Sequence, residues 1–384
     1  MPDPIPEDVQ FAIAWLAAEQ EAGRQYGNIL LGMATGTWRS EMNRDENLRR
    51  YGTLRFLLEI IRNDILQYPK QACERAAVVV EYTEEVEVPS AHYYYFLGGL
   101  AWKEYASALQ YAGDLKEALK AARRSRATFS MAGSLACDAA KAHLVEALVQ
   151  RELGDLDAAL SIATACAQTF RDHADSEAYM HARMTEALLL SDTKRFDEAM
   201  AILTDTGRDA EKRGDKRTLA ICLHNSAEAA RALGDLPTAR RLDALALTHF
   251  EALGTTVEKP RIRWMEARAL ADEGQVSAAI LQLRITRSEF LSLGMNGSAA
   301  ICGLDIVRFR YDRDEDVTSE CAELIETLTA SGMTQRAIEA LAYLREQARR
   351  GTVSIEKIEA VQTYVTEAAK GHARMFVPPP EHGA

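Results

Sequence analysis

The sequence predicts an all-α solenoid of stacked helix pairs, and three observations carry that expectation. The first is a register of turn residues: Gly113, Gly154, Gly234 and Gly274, with Lys194 between the second and third, follow one another at steps of 41, 40, 40 and 40 residues. The second is what travels with it. Seven residues before each turn stands an alanine (Ala106, Ala147, Ala187, Ala227, Ala267), five after it another (Ala118, Ala159, Ala199, Ala239, Ala279), and twelve after it a small residue (Ser125, Cys166, Thr206, Ala246, Thr286). The third is composition: 47% hydrophobic yet only 7% aromatic, rich in Ala, Leu, Glu and Arg, as a helical chain would be.

The spacing has a physical reason. Small residues on facing helices let two backbones approach closely, while larger ones fill the seam beside them. Leu115, Leu156, Phe196, Leu236 and Val276 stand two after each turn, and Phe129, Phe170, Phe250 and Phe290 sixteen after, with Ala210 the exception. Second glycines at Gly133, Gly214, Gly254 and Gly294 close most units, each permitting the left-handed conformation that ends a helix. One such unit cannot bury its apolar face alone, so units stack, and stability comes from neighbour contacts.

Taken in order, residues 1–50 read as an N-terminal helical cap, 51–370 as the repeat array and 371–384 as an extended Pro-rich tail. Residues 1–6 are loose, and a helix runs from about Glu7 to Ala22. Gly23 to Thr37 does not fit the repeat; its GNILLGMA at Gly27 has phosphate-loop glycines without the Lys and Ser/Thr that touch phosphate. A short helix spans Trp38 to Arg50. An imperfect unit follows at Tyr51 to Gln67 and Pro69 to Val86, with proline tolerated at a helix start. Ser90 caps a long helix from Ala91 to Tyr111. Five well-phased units reach Gly294, the unit from Ser298 to Gly332 drifts, and a last pair spans Gln335 to Arg349 and Ser354 to Lys370. That makes seven to eight helix pairs.

Small residue, turn, alanine and small residue at these spacings resemble the tetratricopeptide repeat, whose usual period is about 34 residues. The longer period here adds roughly 9 Å of helix per unit at 1.5 Å per residue. Long-helix repeats of this sort are similar to those of bacterial regulatory proteins: the Rap phosphatase and peptide-receptor group, the superhelical domain of maltose-activator-type transcription regulators, and proteins built around anti-sigma modules. The resemblance covers about residues 50–368 and implies a right-handed superhelix whose first helices line a concave groove.

A formal net charge of −12 repels phosphate backbones, which argues against direct nucleic-acid binding. The six cysteines (Cys73, Cys137, Cys166, Cys222, Cys302, Cys321) are scattered without a C-x-x-C pair and read as small buried hydrophobes in a reducing compartment. MPDPIPED lacks the basic and apolar regions of a signal peptide, and no run approaches the ~18 apolar residues of a membrane span. The expected location is the cytoplasm.

No nucleophile elbow, phosphate loop or H-E-x-x-H motif is present, so no catalytic residue, metal or cofactor is expected. Asp312, Asp314, Asp316, Glu320 and Glu323 match ligand positions of a calcium loop, but Val317 stands where that loop needs glycine; a solvated acidic turn is expected. Lys116, Lys120, Arg123, Arg124 and Arg126, near the acidic Glu81, Glu84, Glu85 and Glu87, read as a solvated face. Four neighbouring aromatics, Tyr93 to Phe96, cannot all face one core, and the N-terminal segment is expected to cover part of them.

The functional expectation is positional and follows from the resemblance. Groove positions lie ten and six residues before each turn: Lys103 and Ser107, Leu144 and Leu148, Met184 and Leu188, His224 and Glu228, Trp264 and Arg268. The same face adds Arg151 and Arg231 at one end and Lys141 and Arg261 at the other. An apolar strip with basic edges suits a helix or extended segment carrying acidic residues, although these apolar residues read equally as helix packing. Asn225 matches a position where such repeats hold a peptide backbone, and reads equally as a satisfied polar contact. The carboxylate clamp of chaperone-binding repeats is absent, because Met184 and Leu188 stand where it needs Lys and Asn. The expected activity is a non-enzymatic regulatory scaffold or inhibitor subunit that binds a protein segment. The alternative is a sensor of a signalling peptide or small ligand that changes superhelix shape.

Overall fold

The structure, a computed structural model, describes residues 7–65, 68–253, 258–330, 335–369 and Pro379. The loose start at 1–6, the closing turns at Gly254 and Gly332, and the tail at 371–384 apart from Pro379 lie outside the described residues. Every regular element among the described residues is helical, and the chain divides into two compact units, Met1–Lys194 and Arg195–Ala384.

The first unit holds α1 (Glu7–Leu31), α2 (Trp38–Arg44), α3 (Tyr51–Asp64), α4 (Pro69–Tyr82), α5 (Ala91–Ala112), α6 (Leu115–Ser130), α7 (Ala136–Leu153), α8 (Leu156–Asp172) and α9 (Ser176–Asp192). The second holds α10 (Phe196–Arg213), α11 (Lys216–Ala232), α12 (Leu236–Ala252), α13 (Glu258–Asp272), α14 (Val276–Ser292), α15 (Asn296–Tyr311), α16 (Thr318–Ala330), α17 (Gln335–Arg349) and α18 (Ile355–Ala369). Within each unit, consecutive helices pack as pairs, the architecture of a TPR-like α-solenoid. The in-phase alanines Ala106, Ala147, Ala227 and Ala267 have no exposed surface, and Phe129, Phe170, Phe250 and Phe290 are among the largest fully buried side chains. Ala227→Leu is therefore expected to cost about 1–3 kcal/mol by overpacking its helix crossing; a denaturation midpoint equal to wild type would show that the crossing does not run through Ala227.

The turns explain the register. Gly113, Gly154, Gly234 and Gly274 have φ of 89°, 89°, 82° and 80°, so each ends a helix in the left-handed region. The amide of the next residue reaches back across the turn, as Asp155 N–H donates to Gln150 C=O (2.9 Å). That next residue is often an aspartate whose carboxylate caps the following helix: Asp114, Asp155 and Asp235 accept from the amides of Glu117, Ala158 and Thr238. Lys194 keeps the same place at φ 62° despite its side chain. Lys194→Gly is expected to raise stability by about 0.5–1 kcal/mol, as relief of left-handed strain outweighs added freedom in the unfolded chain; chemical denaturation showing no gain would contradict that strain.

The register runs further than the sequence reading followed it. Asp314, at φ 56°, sits 40 residues after Gly274 and ends α15, so the unit expected to drift keeps its phase with an aspartate in place of glycine. Ala174, at φ 56°, does the same 40 residues before Gly214. Asparagine, aspartate and, where packing insists, other residues enter this region at a cost.

Two expectations at the N-terminus change. The first helix does not stop near Ala22 but continues to Leu31, with Gly23 and Gly27 inside it, so GNILLGMA is largely helix and not a loop. Trp38 to Arg50 divides into α2 and a short 3-10 turn, Glu46–Arg49. Ser90 holds the N-cap position of α5 without a side-chain capping bond. As expected, α1 covers part of the aromatic cluster: Trp15 lies with its ring 4.9 Å from both Tyr51 and Tyr93. Phe96 packs inward on Phe129 (6.3 Å), while Tyr94 and Tyr95 stay half-buried.

The last helices depart from simple stacking. α17 packs on α16, but α18 packs on both α17 and α15, burying Ile358, Val361 and Val365.

Candidate functional site

In the first unit, successive first helices α5, α7 and α9 pack side by side. Lys103 on α5 donates to buried Glu104 (2.6 Å). Leu144 is half-buried and joins the core between α7 and α8, whereas Leu148 is half-buried outside it. Arg151 pairs with Asp192 of α9. Met184 is half-buried, and Leu188 is 36% exposed. A cleft of about 370 Å³ opens on this face between α3, α5 and α7, lined in part by Arg55, Arg62, Phe96, Leu100, Lys103 and Lys141.

In the second unit two buried carboxylates organise the candidate residues. Asp243 on α12 has no exposed surface. It accepts from Arg231 Nη2 (2.5 Å) and lies 3.2 Å from His224 Nδ1, while Arg231 Nη1 donates to Glu228 (2.5 Å). Asp305 on α15 accepts from Trp264 Nε1 (2.6 Å) and from Gln362 Nε2 of α18 (2.7 Å), with Arg268 Nε at 3.9 Å. The structure thus gathers His224, Glu228 and Arg231 around one acid, and Trp264 and Arg268 around another. Asn225 is half-buried on α11, and Arg261 is exposed on α13.

Asp243 and Asp305 were not among the candidates and no fixed spacing marks them, whereas three other acids do carry a signal. Glu146, Glu186 and Glu266 all stand eight residues before a turn, amid positions that are otherwise small or apolar. Glu146 is buried and pairs with Arg123 (2.8 Å) and Arg126 (3.4 Å); Glu186 pairs with Arg183 and accepts from Thr164. Burial, followed by the charge of Asp243, pushes the Glu266 carboxyl above the usual range, against a hydrogen bond from Gln282. A raised carboxyl favours the fold at low pH and loses that advantage as pH rises through its folded value. Glu266→Gln is therefore expected to be more stable than wild type at pH 7, with the gain fading as pH falls through the raised folded value of Glu266 and gone below the ordinary glutamate value of about 4.3. A gain independent of pH, or a loss, would contradict a charged Glu266 in that site.

The acidic turn follows the repeat. Glu320 is buried and pairs with Arg310 and Arg284, Glu323 with Arg287, and Asp316 caps α16 through Thr318 N–H (2.9 Å). Its last two carboxylates point at arginines of neighbouring helices. Of the basic cluster, Arg124 lies over Trp102 (4.3 Å) and pairs with Glu84 (3.1 Å). Burial drives the thiols of Cys166, Cys222 and Cys321 up to about 12, which makes them inert packing residues. Among the described residues no group of His, Cys, Asp and Glu has the geometry of a metal site, and no helix is long and apolar enough to cross a membrane.

The helix pairs define an all-α TPR-like solenoid. No protein-family model matches the sequence, and no curated protein matches it either. Solved structures do. Aspartyl phosphate phosphatase F from Bacillus subtilis is similar at TM-score 0.57 and 9% identity, over 83% of this chain and 80% of that one. The apo form of the quorum sensor NprR from B. thuringiensis is similar at TM-score 0.57 and 14% identity, over 94% and 98%. A Rap protein complexed with Competence and Sporulation Factor is similar at TM-score 0.55 and 11% identity, over 92% and 99%. At these identities the likeness is one of fold.

Proposed function

We propose that this chain is a non-enzymatic, regulatory protein-binding module of the bacterial cytoplasm, built as an N-terminal cap (1–50), a repeat array (51–370) and a tail (371–384). Its first-helix face captures a helix or linear segment that carries acidic residues. The observation that carries this reading is the pinning of Trp264, Arg268, His224 and Arg231 by two buried carboxylates. Side chains held in place before a partner arrives lose less freedom on binding. Aromatic and arginine anchors commonly dominate such interfaces. In this reading Leu144, Leu148, Met184 and Leu188 supply the apolar contact, Lys103, Arg151 and Arg261 the basic edge, and Asn225 a backbone contact. The fold shared with NprR and with the Rap protein bound to Competence and Sporulation Factor supports a regulator whose groove is occupied in one of its states.

The same neighbours favour one alternative, a sensor in which a signalling peptide or small ligand fills the groove and alters its shape. Thermal unfolding against a panel of peptides and metabolites separates the two. A sensor gains ~2.7 kcal/mol from a ligand at a hundredfold its dissociation constant. A module that binds only a macromolecular partner gains nothing from the whole panel.

A further inference from the structure

A second cleft lies in the first unit, at the N-terminal end of α3. It measures about 630 Å³, in the size range of ligand pockets, and is bounded by α1, the start of α3 and the loop between α4 and α5. We infer that this cleft docks a lysine or arginine side chain carried on an extended segment of a partner protein.

Three independent features point that way. Aromatic faces line one wall: Trp15 is braced by Tyr51 and Tyr93, and Phe11, one helical turn earlier on α1, is 63% exposed. Such π faces attract cations, and an exposed Phe beside a braced Trp offers one a platform. Charge sets the sign. The lining holds Glu19, Glu46, Glu85 and Glu87 against Arg49 and Arg50, and both arginines are already committed, Arg50 to Glu19 and Arg49 to Glu46 and Glu85. Glu87 is exposed and has no ion pair among the described residues.

The third feature separates a peptide from a free amine. Val86, Glu87 and Val88 also line the cleft and make no backbone–backbone hydrogen bond among the described residues. Backbone groups left without main-chain partners suit an extended chain laid alongside, the way a strand adds to an edge. Cation recognition and main-chain pairing together require a basic residue within a polypeptide.

The test is calorimetric titration of the full chain with acetyl-Val-Arg-Val-amide, its citrulline counterpart and arginine amide. The arginine tripeptide is expected to bind saturably, at least fivefold tighter than the uncharged citrulline form. Glu87→Gln should abolish that preference, and Phe11→Ala should weaken the arginine peptide at least fivefold; both side chains are exposed, so circular dichroism should match wild type. Arg261→Ala, on the other unit, should leave binding unchanged, which keeps this site separable from the groove. Equal affinity for arginine and citrulline peptides, or no saturation by about 1 mM, overturns the inference. Arginine amide binding as tightly as the tripeptide overturns the extended-segment part of it.

Discussion

Gly52→Ala is expected to lower stability by about 3 kcal/mol or more and to loosen α1 from the rest of the first unit. Gly52 opens α3 where α1 crosses it, and a methyl group there would overlap the carbonyl of Glu19. The clash is with backbone, so no side-chain rotation relieves it. The two helices must separate, and their separation breaks a second contact. Glu19 is buried, accepts the Gly52 amide (2.7 Å) and Arg50 Nε (3.1 Å), and would be left partly unpaired. Hydrogen exchange should show α1 amides losing protection before those of α5 to α9. A loss under about 1 kcal/mol with α1 still protected would mean that the helices do not cross as closely as described.

Arg231→Ala should have a comparable effect for an electrostatic reason. Asp243 is fully buried, and Arg231, its side chain only 11% exposed, supplies its shortest contact. Removing one partner of a buried pair leaves a desolvated charge and typically costs about 3–5 kcal/mol. The double variant Arg231→Met with Asp243→Leu removes both charges and should recover most of the loss. Chemical denaturation of the three proteins decides the matter: a single variant as stable as wild type would show that the pair contributes little, and a double variant no better than the single would show that packing and not charge is responsible.

This second expectation limits how the proposed binding face is probed. Arg231 and Trp264 are bound into the fold through Asp243 and Asp305, so their loss would confuse weakened binding with weakened folding. Leu188 and Arg261 are exposed and free of that confusion.

Much of the fold was legible in the sequence because a solenoid writes one local solution repeatedly. Glycines at the left-handed turns and alanines at the crossings recur visibly, and the helix pairs follow from them. What escaped were places where a different residue meets the same backbone demand. Ala174 and Asp314 adopt the left-handed conformation without being glycine, since position in the array and not residue type imposes it. The full length of α1 escaped for the opposite reason: Gly23 and Gly27 look like helix breakers but serve close approach of neighbouring helices. For the candidate site, sequence placed residues on a face by phase alone. It did not show that Asp243 and Asp305 reach that face from other helices, because such pairings join positions 12 to 57 residues apart without a fixed spacing.

The central claim is that the first-helix face is the working surface, and the most direct measurement is a quantitative pull-down from cells that express the chain. Bait would be wild type, the double variant Leu188→Asp with Arg261→Glu, and Leu281→Asp as a control at an exposed position on α14. A protein retained by wild type and by the α14 control, and reduced at least tenfold with the double variant, is the predicted result. The same proteins retained equally by all three baits, each folded by circular dichroism, would contradict the claim and move the working surface elsewhere.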